Sequence, residues 1–245
     1  MQKVQHENVI KIIDGGKAIL KSILGDEINC YYISMELAYT KSLDYFIDLI
    51  ENEPLAEDVA VIFFQQLMLG LLAIHETGLC HRDIKANNLF LDTNLTLKIG
   101  DFGFSAPLKG KYDIPEKQGK LYSFLGTPGL LAPEVLKMEL NPNQGYSGDR
   151  VDIFNAGVVL FRMLFQKCPF AEAKVGDLHY EWVIKGQPKR FWESHENQGL
   201  EVEKVSEAAR ELIYSMLLPD PNLRPSVLEV LYDEWVQKTP RCANL

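Results

Sequence analysis

The segment HRDIKANN (81–88) sets an acid, a cation and an amide at short intervals: Asp83, Lys85 and Asn88. Those types suit one kind of chemistry. Moving a phosphoryl group needs little covalent help from a protein. It needs a positioned acceptor hydroxyl, compensation of developing charge, and metal ions held on the phosphates. Asp83 can accept the hydroxyl proton, Lys85 can sit beside the transferring group, and Asn88 can offer its carbonyl oxygen to Mg²⁺. Asp101, in IGDFG (99–103), would add a second metal-binding carboxylate. Taken alone, Asp83 and Asp101 equally suit a surface acid and a turn residue, or a glycosidase carboxylate pair.

The elements around these residues set where they sit. LFL (89–91) and LTLKI (95–99) are short β-type runs joined through Asp92-Thr93-Asn94, a hairpin pattern that places both acidic motifs at strand ends. Upstream, VIKII (9–13) and INCYYISM (28–35) read as strands, with Gly15-Gly16 and Gly25-Asp26 as turns between them. Helix then dominates. SLDYFIDLIEN opens with Ser42 as an N-cap. The apolar run 59–74, preceded by Pro54 and broken by Gln65 and Gln66, predicts a buried helix ending near Gly78, too short for a membrane span. VDIFNAGVVLFRMLF (151–165) is apolar nearly all round, a buried core helix whose one acid, Asp152, must find partners. Two further helices are expected at about 206–217 and 225–237, and 103–130 reads as a long loop.

GTPGLLAPEVL (126–136) follows that loop. HRD with Asn five residues after the Asp, then DFG, then APE, in that order, resembles the signature set of the protein-kinase family. Each tripeptide alone is weak; three in order around a hairpin are not. The resemblance implies an α+β protein-kinase-like fold, mainly the helical C-terminal lobe with only the last strands of the N-terminal lobe. On that reading 1–35 is the N-terminal remnant, 36–240 the C-terminal lobe and 241–245 a tail. It also implies ATP and Mg²⁺ as cofactors and a protein Ser/Thr hydroxyl as substrate, Lys85 and Thr127 being the residues that favour Ser/Thr over Tyr.

Residue by residue, the resemblance makes Asp83 the base and puts Asn88 and Asp101 on metal. It gives Met35 as gatekeeper, the backbone of Glu36 to Ala38 as the adenine-binding hinge, and Phe90 beneath the adenine ring. His81, Phe102 and Asp152 become structural supports, and Glu134 with Arg224 an ion pair tying the activation segment to the last helices. The Trp-Ser usual after Asp152 is here Phe154-Asn155. Arg82 is similar to the residue that receives an activation-loop phosphate, with Ser123 at the usual phosphosite, although Ala106 stands where many relatives carry a second basic residue. Three positions that hold glutamate in Arg-preferring kinases hold Ser42, Asn87 and Arg162, so no strong basic substrate preference is expected. GTPGLLAPEVL and GYSGDRVDIF are most similar to the calcium/calmodulin-dependent group.

One half of the pattern is not found. HENV (6–9) resembles the loop after the family's regulatory helix, so the helix Glu, the glycine-rich loop and the strand Lys would precede Met1, and residues 1–80 hold no GxGxxG. The expectation is an N-terminally truncated kinase; the alternative is a catalytically silent lobe that serves as an interaction module. Bulk properties agree with an intracellular, cytoplasmic enzyme. The 245 residues are 47% hydrophobic with a formal charge of -9 and no basic block, which argues against a nucleic-acid partner. Cys30, Cys80, Cys168 and Cys242 form no CxxC pair, so neither a disulfide framework nor a zinc site is expected. MQKVQHENVI has no apolar h-region, so no signal peptide is expected either.

Overall fold

The computed structural model describes residues 4–23, 25–38, 41–50, 53–108 and 120–238. The expected last turn of a regulatory helix falls largely on residues 1–3, and the 241–245 tail with Cys242 falls wholly beyond 238, outside the described residues.

β1 (Ile12–Lys21) and β2 (Glu27–Met35) form an antiparallel hairpin with Lys17 opposite Tyr31. The turn expected at Gly15-Gly16 is not there. Both glycines lie inside β1, opposite Ile33 and Tyr32, and the chain reverses only at the other expected turn, Gly25-Asp26, where the Ser22 N–H donates to the Asp26 carbonyl at 2.9 Å. The reason is cross-strand packing: the Tyr32 ring lies against Gly16 and its hydroxyl donates to Asp14 at 2.6 Å. The first strand accordingly begins at Ile12, and Val9 instead forms a parallel bridge to Ile99. Ile13, Ile19, Leu20, Tyr31 and Ile33 of this hairpin are all exposed.

The remainder is mostly helical. α1 (Leu43–Leu49) starts at Ser42, whose hydroxyl accepts from Tyr45 N as an N-cap should, and α2 (Glu57–Glu76) follows. α2 is long and apolar enough to cross a bilayer by length and composition, yet 56% of its apolar window is buried inside the fold. After β3 (Leu79–Cys80), a 3-10 turn at Ala86–Asn88 leads into the expected hairpin, β4 (Leu89–Leu91) with β5 (Leu97–Ile99), Leu89 facing Ile99. β6 (Ala106–Pro107) returns to pair with β3. α3 (Pro133–Leu136) precedes α4 (Gly148–Phe165), the central helix, buried nearly all round as its sequence predicts. α5 (Tyr180–Ile184), α6 (Pro188–Glu196) and α7 (Glu207–Met216, capped by Ser206) close the core. The single helix expected over 225–237 is two, α8 (Val227–Leu231) and α9 (Glu234–Gln237). Asp233 causes the break: its carboxylate caps Trp235 N at 2.9 Å, a bond that ends one helix and starts the next.

α6 carries a buried base. His195 is 2% exposed, packed against Phe161 and Phe191 and stacked on His179 at 4.0 Å between ring centroids. Burial, and then His179, push its pKa down from 6.5 to about 3. The unfolded chain therefore takes up a proton near pH 6.5 that the folded chain refuses until about pH 3, so stability falls as pH drops through that window. Urea midpoints should decline between about pH 7 and about pH 5, and His195→Gln should flatten the decline. Equal slopes in the two proteins would show that His195 is not the group responsible.

Candidate active site

The site begins with a carboxylate that has no access to water. Asp152, in the first turns of α4, is 0% exposed. Its Oδ2 accepts from the His81 backbone N–H at 2.8 Å and contacts His75 Nε2 at 2.8 Å, while Oδ1 accepts from the Arg82 N–H at 2.6 Å. These bonds hold Arg82 in the left-handed region at φ 68°, a conformation unfavourable for a long side chain unless its surroundings impose it. His81 locks the turn from the other side. Its Nε2 lies 2.9 Å from the Gly100 carbonyl, its ring packs on Phe102 at 4.9 Å, and Nδ1 accepts from Asp83 N at 3.3 Å. His81 and Phe102 thus brace the two acidic motifs against each other.

Within that frame the predicted catalytic residues meet. Asp83, 3% exposed, receives Lys85 Nζ and Asn88 Nδ2 on Oδ2, each at 2.9 Å, and the Thr127 hydroxyl on Oδ1 at 2.6 Å. Lys85 Nζ also donates to Thr127 Oγ1 at 2.7 Å. Asn88 Nδ2 additionally donates to the Asp83 carbonyl at 2.8 Å, so the amide is turned with nitrogen inward, and Oδ1 takes no hydrogen bond among the described residues. The hairpin brings Asp101 alongside, because Gly100 N donates to the Asn88 carbonyl at 2.9 Å. Asp101 is exposed, in the left-handed region at φ 54°, with Oδ1 accepting from Gly103 N at 3.2 Å.

This donor set fits Mg²⁺. Asn88 Oδ1 and the Asp101 carboxylate are hard oxygens without a protein cation on them, and among the described residues no cluster of three or more His, Cys, Asp or Glu could hold a metal alone. A cation here would take one amide, one carboxylate, water and phosphate oxygens, as Mg²⁺ does on nucleotides. Of the expected nucleotide-base positions, Met35 ends β2, Glu36 to Ala38 follow it, and Phe90 lies in β4. Glu36 N donates to Lys11 O at 2.9 Å and its carboxylate meets Lys98 Nζ at 3.2 Å, whereas the Glu36 carbonyl and Ala38 N–H are unbonded among the described residues. Met35 is 52% exposed at the end of β2, and Phe90 is half-buried with its ring against Gly100.

Two contacts fasten the segment after DFG. Glu134 and Arg224 form the expected pair, bidentate at 2.7 Å on both oxygens, with the Arg224 guanidinium also over the Phe154 ring at 4.8 Å. The departure to Phe154-Asn155 therefore leaves a ring for Arg224, and Asn155 Nδ2 reaches the Ile84 and Leu130 carbonyls at 3.3 and 3.4 Å. Arg82 donates from Nε to the Phe104 carbonyl at 2.6 Å and from Nη1 to the Tyr146 hydroxyl at 3.1 Å. Ser123 is exposed, and it is its backbone carbonyl that joins this group, through Tyr146. Neither Tyr146 nor His75 is marked by the sequence: a lone Tyr before a core helix and a lone His at a helix end carry no distinguishing pattern.

The protein kinase domain family matches residues 1–236. The chain belongs to the protein kinase family. It is 31% identical over 241 residues to CBL-interacting protein kinase 28 of Oryza sativa subsp. japonica, covering 97% of this chain and 47% of that protein. It is 33% identical over 241 residues to CBL-interacting serine/threonine-protein kinase 9 of Arabidopsis thaliana, covering 97% of this chain and 46% of the relative. The chain thus spans about half the length of the curated relatives it matches. In this kinase domain the Asp152 carboxylate is the keystone of the catalytic loop. Asp152→Ala would leave two buried N–H groups without acceptors and should destabilise the fold by about 3–5 kcal/mol, read from urea unfolding. A loss under about 1 kcal/mol would show that the loop holds its shape without it.

Proposed function

We propose that this chain carries out phosphoryl transfer from Mg-ATP to Ser or Thr hydroxyls of proteins, inside the cell and in the cytoplasm. The observation that supports it is the single cluster in which Asp83 is held by Lys85, Asn88 and Thr127, beside an amide oxygen and a carboxylate left open to a cation. Thr127 already presents an alcohol to Asp83 at 2.6 Å, the contact a substrate hydroxyl needs before giving up its proton. Asp83 accepts that proton. Lys85, shared between Asp83 and Thr127, places its cation where the acceptor oxygen and the incoming phosphoryl group gain charge. Mg²⁺, when bound, neutralises phosphate charge; Asn88 and Asp101 are the residues to hold it. On this reading the Glu36 carbonyl and the Ala38 N–H, unbonded among the described residues, would serve as acceptor and donor for an adenine edge.

A second reading is a silent lobe that docks partners. It is favoured by the exposed apolar side chains of the β1–β2 hairpin.

Phosphorylation of a Ser/Thr peptide library with Mg-ATP separates the two. Asp83→Asn should lower kcat by roughly 10²–10⁴-fold with little change in the unfolding midpoint. No transfer by the unmutated chain would favour the docking reading.

The same screen tests substrate choice. Arg162 lies between Asp44, at 3.3 Å, and Asp48, and Asn87 Nδ2 donates to Asp44 at 2.8 Å, so the acids nearest the catalytic loop on this side already have an internal cation. Peptides with Arg shortly before the acceptor should show no enrichment, and Arg162→Glu should create one. Strong Arg selection by the unmutated enzyme would overturn this reading.

A further inference from the structure

The bonds around Tyr146 carry an inference beyond the phosphoryl-transfer site itself, though it rests on that reading. Residues 120–123 run against 144–148 in a short antiparallel stitch. Leu121 N donates to the Tyr146 carbonyl at 2.8 Å and Tyr146 N to the Leu121 carbonyl at 2.9 Å. The Tyr146 side chain adds a third bond, its hydroxyl donating to the Ser123 carbonyl at 2.8 Å. That hydroxyl in turn accepts from Arg82 Nη1 at 3.1 Å. Each proton has a place: Arg82 gives to the phenol oxygen, and the phenol gives to the carbonyl. Gly148 lets the stitch close, since a Cβ there would lie 2.2 Å from Cys80 Sγ and 3.0 Å from the Leu121 side chain.

Tyr146 is 3% exposed, and burial first of all pushes its phenol above the usual range, so it stays a neutral donor. The residue next to Arg82 is Asp83, and the residue four beyond Ser123 is Thr127, which bonds Asp83. One hydroxyl thus joins residues 121–123 to the catalytic loop. The Ser123 hydroxyl has no part in it.

We propose that Tyr146 is a positioning residue whose hydroxyl, bridging Arg82 and the Ser123 carbonyl, holds residues 121–127 in the catalytic arrangement without a phosphate on Ser123.

The test compares the full chain with Tyr146→Phe and Ser123→Ala, by amide hydrogen exchange over 121–127 and by kcat and KM with a Ser/Thr peptide. Tyr146→Phe keeps the ring and removes the two hydroxyl bonds. Exchange over 121–127 should rise and kcat should fall, each by roughly fivefold or more, with exchange across α4 unchanged. Ser123→Ala should match the unmutated chain in both, because the contact is to backbone. Unchanged exchange in Tyr146→Phe would overturn the proposal. So would a Ser123→Ala loss equal to that caused by stripping phosphate from the unmutated protein. If Tyr146→Phe loosens the segment but even the unmutated chain transfers no phosphate, the bridge stands and the phosphoryl-transfer reading fails. Should Tyr146→Phe not fold, Gly148→Ala, which pushes the stitch apart at Cys80 and Leu121, must raise exchange over 121–127 in the same way; protection equal to the unmutated chain would overturn the bridge.

Discussion

A carboxylate buried beyond the reach of water is costly unless every lone pair is met, and Asp152 meets that demand with the backbone of the catalytic loop itself. The bonds run both ways. Asp152 needs the His81 and Arg82 N–H groups, and Arg82 needs Asp152 to remain in a left-handed conformation. Once Arg82 is fixed, Asp83 can point only where Lys85, Asn88 and Thr127 converge. The apolar girth of α4 exists to carry this acid into the core, and the rest of the site is arranged outward from it.

The second constraint is the Glu134–Arg224 pair, whose guanidinium is 0% exposed. Breaking one partner leaves a buried charge, so losing either Glu134 or Arg224 is strongly destabilising and the pair holds residue 134 against residue 224. The described part of the activation segment, residues 120–134, is thus tied at Glu134 by Arg224, at Thr127 by Asp83, and at Leu121 by the stitch to Tyr146. Beside the middle tie, Lys85 Nζ also donates to Thr127, and Arg162 pairs with Asp44.

Local signals and their partners decide differently from place to place. Gly15-Gly16 reads as a turn from its own residues, and Tyr32 across the strand overrides it. The 225–237 run is split by a signal inside it, the Asp233 carboxylate capping Trp235 N two residues on, a cap that the helical period hides. Ser42 capping α1 and the Asp92-Thr93-Asn94 turn between β4 and β5 are read directly from the sequence.

By itself the sequence determined the residue types that can move a phosphoryl group, their order, and the apolar periodicity that makes α4 a core helix. Those are local properties, written in spacing. The tertiary structure alone decided that Asn88 turns its nitrogen inward and its oxygen out, and that His75 shares Asp152. It alone decided that Arg82 reaches the segment through Tyr146. The His75, Arg82 and Tyr146 bonds join residues far apart in the chain, and the Asn88 orientation turns on which atom of its amide meets Asp83; spacing along a sequence carries no record of either.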